Sequence, residues 1–222
     1  MDLNHFLKEQ QTQLLIIENA EDIQDYAPVD LSETNLKAKN INPSNHEELQ
    51  AYLDHENTEN KSKVLYGGYL EKRNLYANSA LFNSDSIRNI HLGLDLWAAA
   101  GTKIKAPLDA VVFAAHYNGG EGNYGGTIIL KHKFNEITFF SLYGHLSKDS
   151  LNFTQGQNIK KGEYFCKLGE VHENGNYVPH LHFQWIVNLD AKAKDYPGVC
   201  SENQIEFYAK NSPKPELIFK KS

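Results

Sequence analysis

Residues 110–143 read AVVFAAHYNGGEGNYGGTIILKHKFNEITFFSLY and contain three apolar runs separated by turn residues. The runs at 110–116, 127–133 and 137–143 are rich in β-branched and aromatic residues, which is typical of strands. Glycine clusters between the first two runs mark a turn. No long amphipathic helix interrupts the series, so this stretch predicts antiparallel hairpins.

The same period of two extends to both sides of these hairpins. Further strands are predicted at 64–66, 90–96, 163–168 and 181–187. A weak similarity between residues 100–105 and 154–160 suggests a duplicated hairpin unit. Three prolines after residue 196 predict that the C-terminal tail wraps irregularly over the domain. We therefore expect a mostly β fold, an antiparallel sheet or β-sandwich, over residues 63–222.

The first 62 residues predict a separate, partly helical segment. Apolar residues in the first two turns recur at helical spacing, and SNHE at 44–47 fits a capping box that would start a second helix. Residues 55–63 are polar without periodicity and predict a linker. We therefore expect a small, helical N-terminal segment over 1–62, followed by the β domain.

Charge and hydropathy exclude several classes of function. The chain has 222 residues, a formal net charge of −6 and no basic stripe with interleaved aromatic residues, so no nucleic-acid partner is expected. Its apolar runs are far shorter than the roughly 18 residues of a spanning helix, so no membrane insertion is expected. No signal peptide is visible, which predicts a cytoplasmic location. Cys166 and Cys200 are then expected to be free thiols.

His180-Leu181-His182 opens one of the predicted strands. Residues i and i+2 of a strand point to the same face about 6.6 Å apart, so the two imidazoles should lie side by side. One of them can bind a metal while the other addresses a water molecule on that metal. By itself the pattern is weak evidence for a metal site, and two exposed histidines are the favoured alternative.

His91-Leu92-Gly93-Leu94-Asp95 is a second polar element within a strand. Alternation sets His91 and Asp95 on one face, but a straight strand would separate their Cα atoms by about 13 Å. The chain must bend for the two side chains to share a metal, and Gly93 permits a bend. An imidazole and a carboxylate suit Zn²⁺. The alternative is a half-buried strand whose polar side faces water.

Three motifs together resemble those of the lysostaphin-type (M23) zinc metallopeptidases. They are HLGLD at 91–95, LYGHLS at 142–147 and PHLHF at 179–183, and they occur in the family's order. The resemblance covers roughly residues 66–187 and does not include the acidic N-terminal segment. The family's mostly antiparallel sheet, which forms a long groove, agrees with the predicted strands.

The resemblance also implies a site and a reaction. One zinc ion per chain would be bound by His91, Asp95 and His182, and His145 and His180 would be the catalytic pair beside an open metal position. The implied activity is a zinc-dependent endopeptidase in which a metal-bound water attacks a peptide bond. Peptidoglycan cross-links or glycine-rich peptides are the family's substrate class, so the implied partner is a peptide or peptidoglycan-derived substrate.

Other functions remain open at this point. One is a catalytically silent module of the same fold that binds a partner or regulates another enzyme. A second is an intracellular hydrolase of a different small peptide. A third is a carrier domain of the lipoyl or biotinyl type, although Lys160-Lys161 lacks the pattern around a modifiable lysine.

Two further features need an interpretation. Residues 120–125 fit GxGxxG, but a dinucleotide fingerprint opens a helix, whereas a strand is predicted directly afterwards. We therefore interpret them as a hairpin loop, which in the resemblance would border the substrate groove. Residues 1–60 carry a net charge of −10 against +4 for the rest of the chain. This segment could dock on the body and cover the groove, or simply cap the sheet.

Overall fold

Twelve strands are present in a computed structural model that describes residues 2–73 and 87–220. They are β1 (Tyr26–Pro28), β2 (Val64–Gly67), β3 (Ile90–His91), β4 (Leu94–Trp97), β5 (Lys103–Lys105), β6 (Ala110–Asn118), β7 (Gly125–Phe134), β8 (Ile137–Leu146), β9 (Asn158–Ile159), β10 (Tyr164–Lys167), β11 (His180–Ile186) and β12 (Val199–Cys200). Eight of them form one sheet in the order β1-β2-β4-β11-β8-β7-β6-β9. Two small sheets pair β10 with β5 and β12 with β3.

Strands β6, β7 and β8 form the predicted hairpins and lie side by side in the large sheet, between β11 and the edge strand β9. Every pairing in that sheet is antiparallel except the one between β1 and β2. The glycine-rich residues 119–124 connect β6 to β7, so their interpretation as a hairpin loop is confirmed. The prediction of a mostly β fold built on an antiparallel sheet is confirmed as well.

The predicted strand at 90–96 is interrupted at Leu92 and Gly93, which separate β3 from β4. A Cβ atom at Gly93 would lie 2.5 Å from the His182 ring and 2.7 Å from the Phe183 carbonyl oxygen. The chain therefore comes closer to β11 at this point than any residue with a side chain allows. This approach bends the segment between His91 and Asp95.

Four α-helices are present in the described residues: α1 (Leu3–Glu9), α2 (Glu33–Ala38), α3 (His46–Asn60) and α4 (Ile205–Asn211). The capping box predicted at Ser44 was wrong, because Asn45 is the N-cap of α3 and its side chain accepts from the Glu47 and Glu48 amides. The linker predicted at 55–63 was also wrong. Helix α3 continues to Asn60 because three apolar side chains of its first two turns bury one face.

The N-terminal region is integrated into the large sheet. Strand β1, which the sequence analysis missed, is an edge strand beside β2, and side chains from α1 share the main apolar core with β7 and β8. Two exposed ion pairs, Glu18–Lys103 and Glu21–Lys105, join the acidic segment to the body. The predicted boundary at 62 and 63 falls between α3 and β2.

The C-terminal tail is more regular than predicted. It contributes β12 and α4, and Gln13 pairs with Ile218 near its end. The expectation of a wholly irregular wrap was therefore wrong, because short apolar stretches such as Val199-Cys200 find a partner strand that the local pattern does not reveal. Among the described residues, every helix is too short or too polar to cross a membrane.

Candidate metal centre

Three neighbouring strands bring the predicted site residues together. In the register of the sheet, His182 on β11 lies opposite Asp95 on β4 and opposite Gly144 on β8. His145 follows Gly144 at the end of β8, and the bend at Gly93 brings His91 toward the same point. The five side chains that the sequence analysis selected therefore converge, and each is at most 7% exposed.

Three ligand atoms converge within this group. The Asp95 Oδ1 atom lies 3.2 Å from His91 Nε2 and 3.2 Å from His182 Nδ1. The two ring nitrogens are themselves 2.9 Å apart. Among the described residues, this is the group of histidine, cysteine and acidic side chains that has the spacing to hold a metal ion.

The proton of His91 is directed away from this point. Its Nδ1 lies 2.9 Å from the carbonyl oxygen of Gly68, and a carbonyl oxygen can only accept. Nδ1 is therefore the donor, and Nε2 presents a lone pair toward Asp95. Burial lowers the pKa of His91 to about 4, helped by the nearby Arg73 charge, so a second proton is absent near neutral pH.

The proton of His182 is directed away as well. The Gln184 amide nitrogen donates to the Pro197 carbonyl oxygen and to the Ser212 hydroxyl, at 3.3 and 2.8 Å, which turns the amide oxygen toward His182. That oxygen lies 3.1 Å from His182 Nε2, which must donate. Nδ1 of His182 then presents a lone pair to the shared point.

These contacts leave three acceptor atoms facing one another with no proton between them. Asp95 Oδ1 is buried and has no hydrogen-bond partner among the described residues. Burial alone would raise the pKa of the Asp95 carboxyl, but the charge of the Arg73 guanidinium outweighs it and helps to hold the pKa well below its usual range. Two lone pairs and an ionised carboxylate oxygen repel one another unless a cation lies among them. The side chains thus fit a metal ion.

Arg73 holds the other oxygen of the Asp95 carboxylate. Its guanidinium is 1% exposed, donates to Asp95 Oδ2 and to Glu71, and lies 5.5 Å from the Trp97 ring centroid. Glu71 in turn accepts from the backbone amide of Leu31 at 3.1 Å. This arrangement leaves Oδ1 as the oxygen that is directed at the two imidazoles.

His145 and His180 form a second pair beside the three ligand atoms. Nδ1 of His145 donates to the Asn174 carbonyl oxygen and Nδ1 of His180 to the Val178 carbonyl oxygen, each at 2.7 Å. Their ring centroids are 4.3 Å apart. Both Nε2 atoms are therefore unprotonated, because burial lowers the pKa of each ring. The pair offers two positioned proton acceptors.

The backbone at His145 is unusual for a residue with a side chain. Its φ of 62° lies in the left-handed region. Two hydrogen bonds hold it there: its amide donates to the Tyr124 carbonyl oxygen at 2.8 Å, and its carbonyl oxygen accepts from Gly169 at 2.9 Å. Such conformations persist where the surroundings fix them, and they cluster at functional sites.

Comparison with known families agrees with this geometry. Residues 89–194, which contain all five side chains, match the model of peptidase family M23. This part of the chain belongs to family M23. The resemblance on which the sequence analysis depended is thereby confirmed.

Two peptidases contain regions that are similar to this part of the chain. The DD-carboxypeptidase/endopeptidase Mpg of Neisseria meningitidis serogroup B is 32% identical over 100 residues, which are 45% of this chain and 20% of Mpg. The peptidoglycan DD-endopeptidase ShyC of Vibrio cholerae is 33% identical over 99 residues, 44% of this chain and 20% of ShyC. The chain thus matches about a fifth of the length of these relatives.

Two solved structures are similar to parts of this chain. The catalytic domain of the antimicrobial peptidase lysostaphin from Staphylococcus simulans is 25% identical, with 54% of this chain and 80% of that chain covered, at a TM-score of 0.37. A zinc-containing peptidase from Vibrio cholerae is 26% identical, with 49% and 32% covered, at a TM-score of 0.36.

A cavity of about 290 Å³ leads to the site of the M23 domain. Its walls include His145 and His182, the loop residues Asn123 and Tyr124, and Arg88. The glycine-rich loop between β6 and β7 therefore borders the cavity, where the resemblance had put it. Tyr124 is fixed there, because its hydroxyl donates to the Tyr196 carbonyl oxygen at 3.0 Å.

Sequence reasoning missed the residues that orient the site. Gln184 lies two positions after His182 on the same face of β11, and this alternation was the available signal for it. Arg73 gave no such signal, because its contact with Asp95 joins segments 22 residues apart. Asn174, whose carbonyl oxygen accepts from His145, lies 29 residues after it, and no local spacing links the two.

Proposed function

We propose that the chain is a zinc-dependent peptidase, with one zinc ion held by His91, Asp95 and His182. The observation that carries the proposal is the set of three facing acceptor atoms, two imidazole nitrogens and one carboxylate oxygen, without a proton among them. Two nitrogens and one oxygen are a donor set that catalytic zinc uses, with a fourth position left for water or substrate.

Zinc at this site would lower the pKa of a water molecule toward about 7 and polarise the carbonyl oxygen of a substrate. The chain's own residues supply the proton transfers. Nε2 of His145 or His180 takes a proton from the attacking water, and the imidazole that then carries the proton delivers it to the leaving nitrogen. The Asn174 and Val178 carbonyl oxygens fix the tautomer of each ring, so the accepting atom faces the site.

Peptidoglycan cross-links or glycine-rich peptides are the proposed substrates. This proposal rests on the relatives, since Mpg and ShyC are named as a DD-carboxypeptidase/endopeptidase and a peptidoglycan DD-endopeptidase. The 290 Å³ cavity is large enough for a short peptide segment and lies beside His145 and His182. A silent binding module would be expected to lack at least one of the five side chains, and all five are present.

Metal analysis and hydrolysis assays test the proposal together. The purified chain is dialysed, its zinc content is measured by mass spectrometry, and it is incubated with peptidoglycan fragments and with pentaglycine. We expect about one zinc per chain and new amino termini in at least one substrate, both lost with a chelator. A folded protein that retains no zinc from an excess would contradict the proposal.

A further inference from the structure

A buried positive charge lies beside the candidate metal centre. The Arg73 guanidinium is 1% exposed and donates to Asp95 Oδ2, so it contacts a carboxylate whose other oxygen is directed at the two imidazoles. A cation at this position attracts the Asp95 carboxylate and repels a divalent metal ion bound to it. Arg73 therefore fixes the carboxylate, but its charge taken alone would weaken metal binding.

Glu71 supplies the opposite charge. Its carboxylate accepts from Arg73 Nε, in an ion pair whose Arg73 and Glu71 side chains are 1% and 13% exposed. Burial raises the pKa of the Glu71 carboxyl, while the Arg73 charge and its hydrogen bond oppose that shift and favour the ionised form. Because little of either side chain meets water, salt screens this pair weakly. Arg73 thus lies between two carboxylates, and the Glu71 carboxylate offsets its charge.

The backbone of the same segment holds a second candidate ligand. The Glu71 carbonyl oxygen accepts from the His91 amide at 3.0 Å. The chain is closely packed here, because a Cβ atom at Gly68 would lie 2.8 Å from His91 Nδ1 and would collide with the Arg73 guanidinium. Residues 68–73 are therefore fitted against the candidate metal centre through both their backbone and their side chains.

The ion pair is attached to the N-terminal region. Glu71 Oε1 accepts from the Leu31 amide at 3.1 Å, and Leu31 is 0% exposed in an apolar cluster with side chains of α2 and α3. Leu31 and Leu49 also line the small space among the five side chains of the site. Residues 31, 71 and 73 all precede residue 89, where the match to family M23 begins. The partner of Arg73 is thus held by a part of the chain outside that match.

We propose that Glu71 is a positioning residue of the metal centre, which offsets the charge of Arg73 and holds it against Asp95, so that tight zinc binding depends on a residue outside the M23 match. This inference rests on the proposed zinc site. With Arg73 held on Oδ2, the Oδ1 atom stays directed at the metal, and the Glu71 charge reduces the repulsion between the guanidinium and the ion. Removing that charge should therefore weaken zinc binding in a protein that still folds.

Zinc affinity of two variants separates the charge of Glu71 from its shape. Glu71→Gln keeps the shape and removes the charge, and competition with a fluorescent chelator measures the zinc dissociation constant of the full chain. We expect this constant to rise about 10- to 100-fold, the usual range for outer partners of metal ligands. Glu71→Asp keeps the charge on a shorter side chain, so it should lose less affinity than Glu71→Gln. A purely structural role would reverse that order.

Glu202→Gln is the matched control. Glu202 forms an ion pair with Lys72, the residue after Glu71, at 2.7 Å, but the Lys72 and Glu202 side chains are 51% and 67% exposed. The substitution removes the same charge from a neighbouring ion pair that water screens. We expect its zinc dissociation constant to stay within about threefold of the wild-type value. Glu71→Met, which is also uncharged and of similar length, repeats the test if Glu71→Gln fails to fold.

Failure of this inference differs from failure of the proposed zinc site. If the wild-type protein binds zinc and the folded, uncharged Glu71 variant binds it within about threefold as tightly, Glu71 has no part in the metal centre and the inference is overturned. A greater loss in Glu71→Asp than in Glu71→Gln, or an equal loss in Glu202→Gln, overturns it as well. If the wild-type protein binds no zinc, the proposed zinc site itself fails and the inference falls with it.

Discussion

His132 and the histidines of the candidate metal centre are buried in the same sheet, but their ring nitrogens are satisfied differently. His132 on β7 is 2% exposed, its Nδ1 donates to the Asp109 carbonyl oxygen at 3.0 Å, and its Nε2 accepts from the Ser141 hydroxyl at 2.7 Å. His91 is 1% exposed, with one nitrogen donating to Gly68 and the other facing two more acceptors.

Burial and a lowered pKa do not distinguish these two environments. Burial lowers the pKa of His132 to about 4, and the pKa of His91 is lowered to the same value. What differs is the number of acceptor atoms without a donor, which is zero around His132 and three around Asp95 Oδ1. A buried histidine is a structural element when both nitrogens are paired, and it is a candidate ligand when one lone pair faces others.

The largest effect is expected when a candidate ligand is removed. His182→Ala should reduce the bound zinc from about one per chain to near none and abolish peptide hydrolysis, because two ligand atoms are too few for a stable site. Zinc content and hydrolysis of peptidoglycan fragments measure the two effects.

His132→Gln and the exposed His172→Ala serve as controls for that substitution. Both should keep their zinc, since neither residue faces the three acceptor atoms. Loss of zinc from folded His132→Gln protein would break the distinction between the two environments.

Removal of the candidate catalytic pair should separate chemistry from metal binding. His145→Ala and His180→Ala should each lower kcat by about 100- to 10,000-fold, because general acid–base catalysis contributes a factor of that size. Zinc content should remain near one per chain, as the three ligand atoms stay in place. A variant that loses zinc to the same degree as His182→Ala would show that its histidine is a ligand.

A smaller effect is expected from the residue that orients His182. Gln184→Leu removes the acceptor of the His182 Nε2 proton, so we expect zinc affinity to fall about 10- to 100-fold. Competition with a fluorescent chelator measures the dissociation constant. Gln155→Leu, at an exposed position outside the lining of the 290 Å³ cavity, is the matched control. An unchanged zinc affinity in Gln184→Leu would contradict the assigned tautomer.

The smallest effect concerns stability alone. The pKa of His132 is about 4 in the folded protein against 6.5 for an ordinary histidine, so between these values protons bind the unfolded chain preferentially. The contribution of His132 to the free energy of unfolding is therefore fully present above pH 6.5. It decreases by a total of ~3 kcal/mol as the pH falls from 6.5 to 4, and it changes no further below pH 4. His132→Gln should show a shallower decline in the free energy of unfolding by urea titration. Identical slopes would contradict the assignment.

Features that depend on the local pattern of residues could be predicted from the sequence. The alternation in 110–143 identified the hairpins of β6, β7 and β8, and the motifs at 91–95, 142–147 and 179–183 selected five side chains that the fold brings together. The bend at Gly93 could be anticipated, because a straight strand would hold His91 and Asp95 too far apart.

Features that depend on tertiary partners could not be predicted in this way. Strand β1 is three residues long and exists because β2 lies beside it. Helix α3 extends through polar residues because its first turns bury an apolar face. Arg73 and Leu49 reach the site from segments distant along the chain, and no local spacing links them to the metal motifs.

Anomalous scattering at the zinc absorption edge, recorded on crystals grown with zinc, tests the metal centre most directly. We expect one peak per chain within bonding distance of His91 Nε2, Asp95 Oδ1 and His182 Nδ1, and no peak at His132. A peak bound by other side chains, or none at this site in a folded, zinc-soaked crystal, would contradict it.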